Sequence, residues 1–396
     1  MNLKYLKNNR ILFYSLSLLP LIIPMSLVGE VTPEDGDWSE KTIVMVNTPE
    51  TALMARTGDI DNLGFGWPNG FNPFSGNNTP SHPYPWNADP LDPPGTDKIM
   101  VPSSYVGTPP SGRDGYTTFT SRPENLPEAI TISYDIPEFE EIEVSSAAMQ
   151  LFVDDFQAPV WGSSFQVTLN ERRAPFLEEI LNGLRQTGPI GKLITVQVPS
   201  DFLDVFSSGK VELFIDDPVT GAGDGYAIDF VKILINPVGF SQTATVTGII
   251  RDQRTQTPLM GAVVSVGSSA SEPTDETGFF RLPDVPAGLT VLTITCPGYN
   301  TSMLKVETIA EKEIDVNFSV SLASPSLKVR PMAEGYVIAL EGALTAKYTL
   351  WSSEDLEEWS ALGEMEQIAP GCFEYIVSSP FFDEGSGQRF YRVLAE

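Results

Sequence analysis

Carboxylates dominate the chemically capable side chains of this chain: 52 Asp and Glu stand against 24 Lys and Arg, with one histidine and two cysteines. Five aspartates have the placement that a hard cation would use. Asp155 shares strand parity with Leu151 and Val153, Asp217 with Leu213 and Ile215, and Asp229 with Val231, Ile233 and Ile235. A carboxylate at the end of an inward-facing strand is costly unless it is paired or metal-bound. Calcium suits such places, because it takes several oxygen ligands at ~2.3–2.6 Å and tolerates irregular loops. Asp59 and Asp61, followed by Asn62, make a second cluster of Asp-x-Asp-Asn form. It lacks the closing Glu of a complete calcium loop. A plainer role competes in both sets, since an Asp at a turn accepts backbone N–H groups. Calcium is the one cofactor these residues imply.

Other chemistries have little to work with. His82 is the single histidine, in Ser-His-Pro-Tyr-Pro-Trp, a proline-locked loop that reads as structural or solvent-facing. One imidazole rules out metal sites built from several, and leaves Ser-His-Asp catalysis a single candidate. Gly-x-Ser-x-Gly is absent. Glycoside hydrolysis needs two carboxyl groups ~5–9 Å apart, and nothing singles out a pair among so many acids. The expectation is therefore a protein that is not an enzyme, with glycoside hydrolase as the residual alternative. Binding is better served. Trp67, Trp86 and Trp161 each offer a flat π-face of the kind that stacks on the C–H face of a pyranose. Trp351 and Trp359 have the same capacity, with core packing as the competing role. Cys296 and Cys372 fall in different segments, so no disulfide framework is expected and both read as buried thiols.

The elements that must position these residues begin after a targeting segment. Lys4, Lys7 and Arg10 precede an almost wholly apolar run from Ile11 to Val28, broken by Pro20 and Pro24. That pattern predicts a signal peptide over residues 1–29, an exported or cell-surface protein, and no membrane span in the mature chain. Without the three basic residues of the leader, 21 cations face 52 anions, a net charge of −31. Such a chain is repelled by nucleic acid and by anionic membranes. Its 32 Gly and 33 Pro are spread rather than periodic, the punctuation of many short strands. Residues 30–128 read as an ordered, loop-rich segment, aromatic but full of turns, wrapping one end of the module that follows. From 129 onward, period-two alternation predicts strands at 130–136, 147–153, 164–169, 193–198, 211–215 and 227–235. Pro175, Phe176, Leu177, Ile180, Leu181 and Leu184 predict one short helix.

Three resemblances follow from these patterns. The strand run ending in Gly225-Tyr-Ala-Ile-Asp-Phe-Val-Lys-Ile-Leu-Ile235 resembles the galactose-binding-like jelly roll of many carbohydrate-binding modules. In those modules a structural calcium often sits near the position that Asp229 would match. Val246-Thr-Gly-Ile-Ile-Arg-Asp252, Thr274-Asp-Glu-Thr-Gly-Phe-Phe-Arg-Leu282 and Val285-Pro-Ala-Gly-Leu289 resemble the carboxypeptidase regulatory-like domain over residues 243–321. That resemblance implies a transthyretin-like seven-stranded sandwich without catalytic residues. Tyr348-Thr-Leu-Trp-Ser-Ser-Glu-Asp-Leu-Glu-Glu-Trp359 and Arg389-Phe-Tyr-Arg-Val393 resemble a small C-terminal β module of exported bacterial proteins. The expected class is thus all-β, with tandem β-sandwiches over 30–240, 241–323 and 324–396. The expected function is binding, with a glycan or cell-surface polymer as ligand. The alternative is an adhesive surface protein that binds protein partners.

Overall fold

Alternation becomes strand in the computed structural model, which describes residues 31–32, 34–82, 89–105, 126–188, 190–221, 225–323, 327–333, 335–344, 346–378 and 389–395. The signal peptide expected at 1–29 and Trp86 lie outside the described residues. A short hairpin, β1 (Val31–Thr32) and β2 (Gly36–Asp37), comes first. Then follow β3 (Thr42–Val46), β4 (Thr51–Thr57), β5 (Ile130–Ser133), β6 (Ala147–Asp154), β7 (Gln166–Leu169), β8 (Arg172–Arg173), β9 (Lys192–Gln197), β10 (Lys210–Asp216) and β11 (Ala227–Pro237). Strands β9-β6-β11-β4-β3 form one antiparallel layer and β5-β10-β7-β8 the other. Apart from the short β8, the chain changes layer at each strand from β4 to β11, which is the winding of a jelly roll.

The inward faces supply one core. Ile130, Ile132 and Tyr134 meet Leu151, Val153, Val211, Leu213, Ile233 and Ile235 there. Three short helices belong to this part of the chain, α1 (Ala158–Trp161), α2 (Pro175–Leu181) and α3 (Leu203–Phe206). Pro175 sits in the first turn of α2, and Leu177, Ile180 and Leu181 join the core as their spacing requires.

The segment before β5 does more than wrap one end. It inserts β3 and β4 into the larger layer and then lies over that layer's outer face. Ile60 and Phe74, with half-buried Trp38 and Trp67, pack there on Phe152, Leu193 and Phe230. This second apolar layer buries all eight residues of β6, where alternation had implied one exposed face. Strand β4 was illegible because Thr-Ala-Leu-Met-Ala-Arg-Thr has weak strand propensity. It forms because β3 and β11 flank it on both edges.

A second sandwich follows: β12 (Thr243–Asp252), β13 (Val263–Val266), β14 (Ser269–Ala270), β15 (Phe279–Pro286), β16 (Gly288–Thr295), β17 (Ser302–Thr308), β18 (Glu313–Asp315) and β19 (Phe318–Val320). Val246, Ile250, Phe280, Leu282, Leu292, Ile294 and Cys296 fill its core. Its layer β14-β13-β16, with β17 also on β16, continues into the jelly roll, because β16 pairs with β9 in parallel at Leu289 and Ile194. The two sandwiches thus share one nine-stranded sheet.

The third module contains β20 (Leu327–Met332), β21 (Gly335–Glu341), β22 (Tyr348–Ser353), β23 (Ser360–Glu364), β24 (Glu366–Ala369), β25 (Cys372–Ser378) and β26 (Phe390–Ala395). They form layers β20-β21-β25-β24 and β23-β22-β26 around Ile338, Leu340, Tyr348, Leu350 and Phe373. Cys372, expected to be buried, is half-buried, while Cys296 is buried; both are free thiols. Among the described residues no helix is long and apolar enough to cross a membrane.

Candidate metal centre

Gly58 starts the site. Its φ is +90°, and a Cβ there would lie 2.2 Å from the Asp229 carbonyl oxygen, so only glycine lets the loop after β4 pass over β11. Buried Arg56 holds the approach by donating to the carbonyls of Asp37 (2.6 Å), Glu40 (2.9 Å) and Gly58. The loop then curls through left-handed Asn62 and Leu63. Gly64 N–H donates to Asp61 Oδ1 at 2.6 Å and Gly66 N–H to the Asp61 carbonyl at 2.7 Å, which fixes the Asp61 carboxylate.

Asp229 reaches this loop because β11 is irregular. The register with β6 slips between Ile228 and Phe230, so Ile228 and Val231 both belong to the inner core. Simple parity therefore misplaces Asp229. The extra residue of the bulge turns its carboxylate towards the loop, where Oδ1 accepts the Leu63 N–H at 2.9 Å. A third segment arrives with Asp97, whose backbone is left-handed (φ 51°) and whose N–H donates to the Ile228 carbonyl at 2.9 Å.

Three carboxylates consequently converge. Oxygens of Asp61, Asp97 and Asp229 lie within 4.8 Å of one another, and oxygens of Asp59, Asp92 and Asp97 do the same. Asp97 belongs to both groups. Lys41 pairs with the outer carboxylates, at 3.0 Å from Asp59 with a short contact to Asp92, and with neighbouring Asp89 at 3.5 Å. Asp97 and Asp229 are buried, at 2% and 0% exposure. Burial first, then the charges of Asp229 and Asp61, pushes the Asp97 carboxyl well above its ordinary value of 3.8. Burial, then Asp61, does the same to Asp229 against the pull of its hydrogen bonds with the Leu63 N–H, the Asp97 side chain and the Asn62 N–H. Burial also raises Asp61. Asp229 Oδ2, Asp59 Oδ1 and Asn62 Oδ1 are buried and receive no hydrogen bond.

Like charges this close and this dry must share a proton or a cation. The oxygen spacing matches what one ion with ~2.3–2.6 Å bonds can span, and the donor set is all oxygen. Hard divalent cations take such sets; softer metals prefer imidazole or thiolate, and His82 is elsewhere. Its Nε2 lies 3.1 Å from Asp154 Oδ2 and its ring stacks on Phe65 at 4.1 Å, a buried structural role rather than a solvent-facing one.

The five aspartates singled out by sequence divide. Asp59, Asp61 and Asp229 come together, with Asp92 and Asp97 added; Asp155 and Asp217 belong to neither group. Asp217 accepts the N–H groups of Ser164, Val219 and Thr220, which is turn capping. Asp155, left-handed at φ 61°, accepts from Gln157 Nε2 at 2.6 Å. Asp89-Pro-Leu-Asp92 and Asp97 had no apolar periodicity around them to draw notice. Of the tryptophans, Trp67 is tied down: Nε1 donates to the Ile60 carbonyl, and the ring stacks on Phe71 and meets Phe152 edge-on. Trp161 stands 54% exposed beside exposed Val160. Trp351 and Trp359 both lie against the Arg392 guanidinium, outside the third core.

Comparison with known proteins identifies one segment. Residues 245–321 match the carboxypeptidase regulatory-like domain. No curated protein matches the chain. Solved structures with local similarity include a candidate carbohydrate-binding protein from Bacteroides uniformis, at 13% identity over 38% of this chain and 78% of that one, with a TM-score of 0.18. A pilus 2b backbone protein of group B streptococcus matches at 11% identity over 50% and 92%, with a TM-score of 0.16. A streptococcal ancillary pilin matches at 12% over 62% and 78%, with a TM-score of 0.19. Scores this low do not extend to the arrangement of the whole chain.

Proposed function

We propose that this chain is an exported or cell-surface binding protein, not an enzyme, whose jelly roll is locked by calcium and takes a glycan as ligand. The observation that carries the reading is the group Asp61, Asp97 and Asp229, two of them buried, whose carboxylate oxygens lie within 4.8 Å of one another. Bound there, the ion joins two loops to the bulge of β11 and replaces a shared proton. The site is a buried staple rather than an open cleft, so it organises a surface and transforms nothing. The jelly-roll winding and exposed Trp161 support carbohydrate as the ligand class. A protein-binding, adhesive role is the second reading, favoured by exposed Val329, Ile368 and Ile376 on the third module.

Calorimetric titration of chelator-treated protein tests the first part. Calcium heat with a raised Tm is expected, and Asp229→Asn should lose at least about tenfold in affinity. Absence of both heat and Tm shift refutes the calcium site. A glycan array tests the second part: retention that Trp161→Ala abolishes supports it, and silence across the array leaves the adhesive reading.

A further inference from the structure

Beyond the calcium site, and independent of it, the outer face of the large sheet holds a lysine in an unusual setting. Lys232 lies mid-strand in β11 and is 1% exposed. Its Nζ is 2.5 Å from Asp35 Oδ1 and 3.0 Å from Glu50 Oε2, and 5.1 Å from the centroid of the Phe74 ring. Asp35 and Glu50 are themselves 4% and 5% exposed. Glu50 is held from both ends: its Oε1 accepts the Ser241 N–H at 2.6 Å and its carbonyl accepts the Val238 N–H at 2.7 Å. Asp35 belongs to the turn between β1 and β2, so the contact ties the first hairpin to the central strand of the sheet.

An amine and a carboxyl group fixed in contact, out of water, beside a second carboxyl group able to carry a proton, have what amide condensation requires. We propose that Lys232 and Asp35 join through an intramolecular isopeptide bond, with Glu50 as the proton carrier. The Lys232 amine, its proton taken by Glu50, attacks Asp35 Cγ; a C–N bond forms. Glu50 hands that proton to a departing Asp35 oxygen and then relays a second one from the attacking nitrogen to the same oxygen; the C–O bond breaks, and one water leaves. The ammonium and carboxylate become a neutral amide, so the step is balanced without oxidant or co-reactant. Two features favour it. Fixed contact replaces a bimolecular encounter by an intramolecular one, which is worth effective molarities of about 10⁵ M or more. Condensation also removes two charges from a buried site where each is held at a desolvation cost. The product would be a covalent clamp on the N-terminal hairpin, useful to a surface protein under mechanical load.

Mass spectrometry of the full, denatured chain decides. The intact mass is expected to fall short of the sequence by one water. Trypsin cannot cut after an acylated lysine, so residues 211–251 should stay in one piece, linked to the peptide that ends at Lys41. Lys232→Arg, which keeps the ion pair but cannot condense, should restore the missing water while remaining folded by circular dichroism. Glu50→Gln should lose or greatly slow the link. A wild-type digest in which trypsin cleaves freely after Lys232 overturns the proposal, as does a full sequence mass for folded protein.

Discussion

The energetics of the site turn on single carboxyl groups whose affinity for protons changes on folding. Asp97 and Asp229 are raised above 3.8 by burial and mutual repulsion. The folded state therefore binds protons that the unfolded state releases. Stability from these two groups is present at low pH and lost as pH rises through their folded-state pKa values. Asp217 and Asp252 behave oppositely: despite burial, hydrogen bonds lower them, and their stabilisation fades as pH falls through their folded-state values. Calcium bound as proposed would cancel the first effect, because it takes the ionised forms. The expected result is a cation-free Tm that declines from mildly acidic to neutral pH and a calcium-loaded Tm that does not. Asp97→Asn should flatten the cation-free decline. Thermal melts across pH check this; a cation-free slope identical in wild type and Asp97→Asn contradicts it.

At the scale of elements, the bulge in β11 and the loop after β4 act as one device. The bulge turns Asp229 outward, and Gly58 lets the loop descend close enough to offer the Leu63 N–H. Gly58→Ala combines a left-handed backbone with a close contact to the Asp229 carbonyl. It should destabilise the protein by about 1 kcal/mol or more and weaken calcium binding at the same time. Denaturant unfolding and calcium titration on the one variant test the coupling. Full stability with weakened binding, or the reverse, would separate what the geometry joins. Strand β4 carries the same lesson about legibility. Its residues have little strand character of their own, yet neighbours on both edges make it the second strand in from the sheet's edge. Alternation was readable in β5 and β10, which face the core on one side, and misleading in β6, which is covered on both.

For the whole molecule, the shared sheet is the decisive feature. Leu289 at the start of β16 pairs with Ile194 and packs in the jelly-roll core, although it lies in the regulatory-like segment. Ion pairs from Lys192 to Glu307 at 2.5 Å and from Lys305 to Glu179 at 3.3 Å flank the junction. The two sandwiches should therefore melt as one cooperative unit by scanning calorimetry. Leu289→Ala, which costs about 2–5 kcal/mol for a buried leucine, should lower that transition or split it in two. Separate transitions already present in wild type would show that the junction carries little energy.

The sequence by itself determined the all-β class, the regulatory-like segment, the short amphipathic helix and most strands from 130 onward. Period and turn chemistry are local properties that one-sided burial preserves. It also named Asp59, Asp61 and Asp229 as cation candidates, in two clusters some 170 positions apart. Only the tertiary structure brings Asp61 and Asp229 together with Asp97, sets Asp59 in an adjoining group that shares Asp97, and leaves Asp155 and Asp217 outside both. It likewise placed Asp35 and Glu50 on Lys232. Each of these outcomes depends on a bulge, a glycine crossing or a covering segment, where long-range packing overrides parity and no local signal reports which loops will meet.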